Sequence, residues 1–62
     1  MTWYVRAREG AVGEVASILC DTPGQALDHA RDQRNRGRTV WVEDANGRLV
    51  DEATLAPKAE RN

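Results

Sequence analysis

The segment 38–55 most constrains the fold, because it predicts a β-hairpin with apolar residues on both faces. Val40 and Val42 alternate with Trp41 at the two-residue period of a strand, so the tryptophan points away from the face that buries the valines. The Asp-Ala-Asn-Gly stretch at 44–47 then predicts a turn, after which the chain returns as a partner strand. A large aromatic residue on the second face predicts that this face has a partner of its own.

Two more strands precede this hairpin. Residues 2–8 place Trp3, Val5 and Ala7 on one side and more polar residues on the other, which is the pattern of a half-buried strand. A loop with two glycines follows. Residues 14–20 are apolar on both sides, which indicates a second strand that pairs with the first.

The connection to the hairpin is a predicted helix. Thr22 and Gln25 have the spacing of a capping box. A proline between them suits the first turn, because a backbone N–H at that position has no acceptor within the helix and its absence costs no hydrogen bond. These signals predict a helix from Pro23 to Arg36, ended by Gly37 in a left-handed conformation. The apolar stripe of this helix is narrow and rich in alanine, which predicts close packing on the sheet.

The order of these elements predicts an α+β fold. It is a ββαββ domain over residues 1–55, with a four-stranded antiparallel sheet and one helix on one face. A right-handed crossover above the first strand gives the strand order 2-1-3-4. Residues 56–62 show no apolar period and are predicted to form a flexible C-terminal tail.

The length of 62 residues allows one small core, which needs support from regular packing or oligomerisation. Cys20 is the only cysteine and His29 the only histidine, so no internal disulfide, zinc site or bound cofactor is expected. A free thiol, the absence of an apolar leader and the lack of a membrane span predict a cytoplasmic protein with no membrane contact.

The sequence does not predict an enzyme. The strand alternation places Cys20 among the core residues, and no general base lies near it in sequence. His29 lies on the side of the helix opposite its apolar stripe. The turn at 44–47 resembles part of a calcium loop, but alignment on Gly47 places Val42 at the first ligand position. We therefore predict no catalytic residues and no metal site.

The sheet face away from the helix is the candidate interface. Its predicted residues are Tyr4, Ile18, Trp41 and Val50. Antiparallel sheets usually keep such a face polar, so either loops and the tail cover it or a second copy packs on it in a homodimer. A third alternative is that Tyr4 and Trp41 stack on single-stranded nucleic acid while Arg6 and Arg8 hold phosphates, which a net charge of −1 does not favour.

Four arginines fall within the short segment 31–38. Two acidic residues earlier in the predicted helix have ion-pair spacing to Arg31 and Arg36, and cations in a last turn complement the helix dipole. Arg34 and Arg38 remain, and they are candidates to contact an anion or an acidic partner.

Two family resemblances follow from these motifs. An aromatic-Val pair near the start, Asp-Thr-x-x-x-Ala-Leu-x-x-Ala at 21–30, and Val-x-Val followed by Asn-Gly-Arg-Leu at 46–49 resemble short bacterial ββαββ families of unknown function. The strand pair leading into the motif at 21–30 is also similar to the antitoxin half of Hic toxin and antitoxin pairs. That second resemblance implies a toxin partner and a partial ribonuclease-H-like fold, although the proline-glycine turn and the appended DNA-binding segment of that family are lacking.

These observations predict a small, non-catalytic protein-interaction domain that self-associates through the open sheet face. The expected assembly is a homodimer, and another protein is the second class of partner. The alternative function is an antitoxin-like or nucleic-acid-binding module.

Overall fold

The computed structural model describes residues 2–60, with side chains as far as Pro57. These residues form one antiparallel sheet with two helices on the same side of it. The elements in chain order are β1 (Trp3–Arg8), β2 (Val15–Cys20), α1 (Pro23–Asn35), β3 (Thr39–Asp44), β4 (Leu49–Val50) and α2 (Glu52–Glu60).

The sheet has the strand order β2-β1-β3-β4, which confirms the predicted order and the α+β class. In the central strand, Val5 lies opposite Ile18 of β2 and opposite Val42 of β3. Opposite residues share a face, so the buried residues of β1 identify the face that the helices cover. We call this the helix face.

The core lies between the helix face and α1. Val5 and Val42 are fully buried at its centre, and Trp3 and Cys20 close one end of it. The helix contributes Leu27 and two alanines, so its backbone lies close to the sheet, as its narrow apolar stripe predicts.

The helix α1 begins with the predicted capping interactions. Thr22 Oγ1 accepts a hydrogen bond from the Gln25 amide at 3.1 Å, and Gln25 Oε1 accepts one from the Asp21 amide at 2.9 Å. The hydrogen bond to the Gln25 side chain thus comes from Asp21, the residue before the cap, rather than from Thr22, the cap itself. Gly37 has a φ of 81°, which ends the helix in the left-handed region where glycine has no steric penalty.

The turn between β3 and β4 is longer than a two-residue hairpin. The Asp44 amide donates to the carbonyl of Arg48 at 2.9 Å, so the three residues 45–47 form the loop. Gly47, with a φ of 80°, takes the left-handed position that follows a type I turn in such loops. Asp44 Oδ1 also accepts hydrogen bonds from the backbone N–H groups of Asn46 and Arg48, and these two bonds hold the loop in this conformation.

The second helix replaces most of the predicted flexible tail. Asp51 caps α2 by accepting from the Ala53 amide at 3.0 Å, and Leu55 inserts into the core with 1% of its surface exposed. Residues 56–60, which the sequence assigns to a flexible tail, continue α2 in the structure, and the buried leucine and the capped first turn dock the start of this helix. Positions 61 and 62 of that predicted tail lie outside the described residues.

Candidate interaction surface

The second face of the sheet is not crossed by either helix within residues 2–60, and we call it the open face. The register assigns its side chains, because residues opposite each other share a face and neighbours along a strand alternate. Its members are Tyr4, Arg6, Arg8, Val15, Ser17, Leu19, Thr39, Trp41, Glu43 and Leu49.

The structure places two of the four predicted interface residues on the open face and two on the helix face. Tyr4 and Trp41 lie on the open face and are half-buried. Ile18 and Val50 instead pack against the core, which corrects their predicted placement. Ile18 shares the face of the buried Cys20 two residues later, and the three-residue loop 45–47 brings Val50 opposite Val42.

A polar cluster occupies the centre of the open face. The Trp41 indole N–H donates to Glu43 Oε2 at 2.6 Å, and the same carboxylate oxygen lies 3.5 Å from Arg6 Nε. Arg6 also donates to the hydroxyl of Ser17, and its guanidinium lies 5.0 Å from the centroid of the Tyr4 ring. Arg6 therefore contacts the Tyr4 ring directly and is linked to Trp41 through Glu43. The indole N–H of Trp41 thus has its hydrogen-bond acceptor within the chain.

The exposed apolar residues of the open face flank this polar cluster. Leu19 and Val15 on β2 are 61% and 46% exposed, and Leu49 on β4 is 76% exposed. Leu19 lies opposite Tyr4, and Leu49 lies opposite Glu43. The surface therefore has a polar, aromatic centre and an apolar margin at each edge strand.

Arg34 and Arg38, the candidate contacts for an anion or acidic partner, both have partners within the chain. Arg34 forms a bidentate pair with Glu52 of α2, with N–O distances of 2.9 and 2.7 Å. This hydrogen bond raises the pKa of Arg34 above its ordinary value. Arg38 donates to Gln33 Oε1 and lies 3.9 Å from Glu9. The guanidinium of Arg34 thus serves to fasten α2 to α1.

Among the described side chains, the cysteine and the histidine do not come together. Cys20 is buried beneath the helix layer, and burial together with the nearby charge of Asp21 raises the pKa of its thiol. His29 is exposed on α1, away from the sheet. Within residues 2–60 no group of three His, Cys, Asp or Glu side chains has the arrangement of a metal site.

Shallow clefts lie beside the helix face among the described residues. One, of about 270 Å³, lies at the loop end of the first hairpin, and Glu9, Glu14 and Arg38 supply its charged lining. Another, of about 140 Å³, lies between Trp3 and the turn at 44–46. Neither brings a nucleophile beside a base, so neither has the arrangement of a catalytic site.

Comparison of the chain with protein-family models, with curated proteins and with solved structures finds no match in any of the three. The two family resemblances therefore stay predictions. No helix in the described part of the chain has the length and apolar character needed to cross a membrane.

Proposed function

We propose that this chain is a small, non-catalytic protein-interaction domain of the cytoplasm that self-associates through the open face of its sheet. The observation that carries the proposal is the coexistence of Tyr4, Arg6 and Trp41 with the exposed Leu19 and Leu49 on one uncovered surface. The buried free thiol of Cys20 supports a reducing compartment.

The residue types of the open face favour a protein partner. Trp, Tyr and Arg are the residues that most often dominate the binding energy of protein interfaces, and they do so from the centre of the contact. Here they occupy the centre of the face and are already held together by Glu43 and Ser17. A surface whose side chains are ordered before association loses less conformational entropy when it binds.

The size of the core supplies the second argument. A domain of this length has little apolar area to bury within itself, and small domains commonly gain stability by oligomerisation. Each additional 100 Å² of apolar surface removed from water contributes roughly 2.5 kcal/mol before the costs of association. Covering the leucines at both margins is therefore a direct route to a more stable assembly.

The charge pattern favours protein over nucleic acid. Arg6, which would have to hold a phosphate beside the aromatic residues, is already paired with Glu43. A phosphate at that point would lie next to this carboxylate, and like charges repel. The same pairing is compatible with a protein surface, which offers both signs of charge.

Sedimentation of the full chain across a concentration series tests the proposal. We expect the wild type to associate and Trp41→Glu to weaken association by about tenfold or more, because the variant loses the indole contact and places a second carboxylate beside Glu43. His29→Glu, which adds the same charge on the exposed side of α1, is the matched control and should associate as the wild type does.

Two results would contradict the proposal. The first is a wild type that stays monomeric at every concentration reached, and the second is a Trp41→Glu variant that associates as strongly as the control. Salt-sensitive quenching of tryptophan fluorescence by a single-stranded oligonucleotide would point instead to the nucleic-acid function.

A further inference from the structure

The two edges of the sheet differ in their capacity to pair with another strand. At one edge β4 contains only two residues. At the other edge β2 contains six, Val-Ala-Ser-Ile-Leu-Cys, and no charged residue or proline interrupts it. Natural sheets usually protect a long edge strand with a charge, a proline or a bulge, since its free N–H and C=O groups are a template for another strand.

The exposure of β2 shows that the described part of the chain leaves this edge uncovered. Residues 15–17 and Leu19 are exposed, although their side chains alternate between the two faces of the sheet. Within β2 only Cys20 is fully buried. In contrast, every second residue of the neighbouring strand β1 is buried. The helix α1 thus covers the centre of the sheet and the Cys20 end of β2, and it leaves the rest of this edge strand open.

Symmetry limits how two copies of β2 can pair. Opposite residues of an antiparallel pair lie on the same face, so a two-fold axis must place open-face residues opposite open-face residues. The helices of both copies then lie on the same side of the joined sheet. Two registers satisfy this condition and keep most of the strand paired, one centred on Ser17 and the other on Ile18.

The side chains distinguish these two registers. Each register sets one apolar residue at its end against a carboxylate, Val15 against Asp21 when it is centred on Ile18 and Cys20 against Glu14 when it is centred on Ser17. Centring on Ile18 also places the exposed Leu19 opposite Ser17 of the second copy. Centring on Ser17 places Val15 opposite Leu19 of the second copy, twice by symmetry. Val15 and Leu19 are the exposed large apolar residues of β2, so this register brings each against an apolar partner.

We propose that β2 pairs antiparallel with β2 of a second copy of this chain, with Ser17 on the two-fold axis, to form a continuous eight-stranded sheet. Tyr4, Leu19 and the Val15 of the second copy then form one row on the open face. The edge contact leaves the open face uncovered and doubles its area. The proposal shares with the proposed function only the requirement that the chain self-associates.

Disulfide trapping tests the edge contact directly. Residues opposite each other in an antiparallel pair lie within the Cα separation that a disulfide spans, so Ser17→Cys should form a covalent dimer in a mild thiol redox buffer. Cys20 stays in place in this variant, because its buried thiol is shielded. His29→Cys, with an exposed thiol on α1, is the control and should form no covalent dimer under the same conditions, although it associates as the wild type does.

A charge exchange tests the register. Val15→Lys and Leu19→Glu should each weaken the dimer by about tenfold or more, since each places two charged residues opposite apolar ones. An equimolar mixture of the two variants should associate more tightly than either alone, because the mixed dimer has one Lys–Glu pair and one native Val–Leu pair. Val15 and Leu19 of one copy lie four positions apart on the same strand, too far apart to form this pair within one molecule.

The outcomes separate this proposal from the proposed function. Failure of Ser17→Cys to crosslink, or a mixture no tighter than its components, overturns the edge contact. Crosslinking of Ser17→Cys together with a Trp41→Glu variant that associates normally supports the edge contact and overturns association through the open face. A wild type that is monomeric throughout overturns both.

Discussion

The two hairpins of this sheet differ in how completely the chain covers them. The second hairpin, β3 and β4, is fixed by Asp44 within its loop and is followed by α2, which inserts Leu55 into the core. The first hairpin, β1 and β2, ends in a long loop, and its outer strand is exposed along most of its length. The comparison shows that the first hairpin supplies most of the buried strand residues and yet leaves its outer strand exposed, and this exposed strand is the one that the proposed edge contact uses.

The largest effect should come from the helix that follows the second hairpin. We expect Leu55→Ala to lower the free energy of unfolding by about 2–5 kcal/mol, because Leu55 is 1% exposed and its truncation leaves a cavity. Leu19→Ala removes the same atoms from the exposed strand of the first hairpin and should cost less than about 0.5 kcal/mol in the monomer. Urea denaturation of both variants at low concentration measures the difference, and equal losses would remove the distinction between the hairpins.

A smaller effect should come from the loop of the second hairpin. Asp44→Ala removes the carboxylate that accepts from the amides of Asn46 and Arg48, so we expect a loss of about 1–2 kcal/mol. Asp44→Asn keeps one acceptor oxygen and should recover most of that loss. Thermal unfolding of the three proteins measures the series, and an alanine variant as stable as the wild type would show that the loop is not fixed by this side chain.

The smallest effect should come from the ion pair between the helices. Glu52→Gln removes the charge that Arg34 contacts, and we expect a loss of about 0.5 kcal/mol, because both side chains are partly exposed to solvent. The loss should shrink as salt is added, since salt screens exposed charges. Asp32→Asn, which breaks the exposed pair with Arg36, is the matched control, and a larger loss there would contradict the role assigned to Arg34.

The sequence predicts the elements of this fold better than it predicts which face each residue occupies. The caps of α1 and the strand order follow from local signals and are confirmed. The face of Val50 depends on one residue of loop length, because a two-residue turn places Val50 opposite Glu43 and the observed three-residue loop places it opposite Val42.

Interactions between distant segments explain the other differences. The partner of Arg34 lies 18 residues further along the chain, on a helix that Pro57 and a weak apolar period conceal in the sequence. The hydrogen bond between Trp41 and Glu43, in contrast, is local, since residues two apart on a strand share a face. The strand period therefore predicts that Trp41 and Glu43 share a face, whereas Arg6 and Ser17 join them through the register of β1 with β2 and β3.

The shared core of Trp3 and Leu55 determines how this molecule folds. These two residues lie near opposite ends of the described chain, so the core is not complete until nearly the whole chain has closed on itself. Neither hairpin buries a full set of core residues without the other. We therefore expect folding to be cooperative, with both helices lost in one transition and with a rate set by long-range contacts rather than by formation of α1.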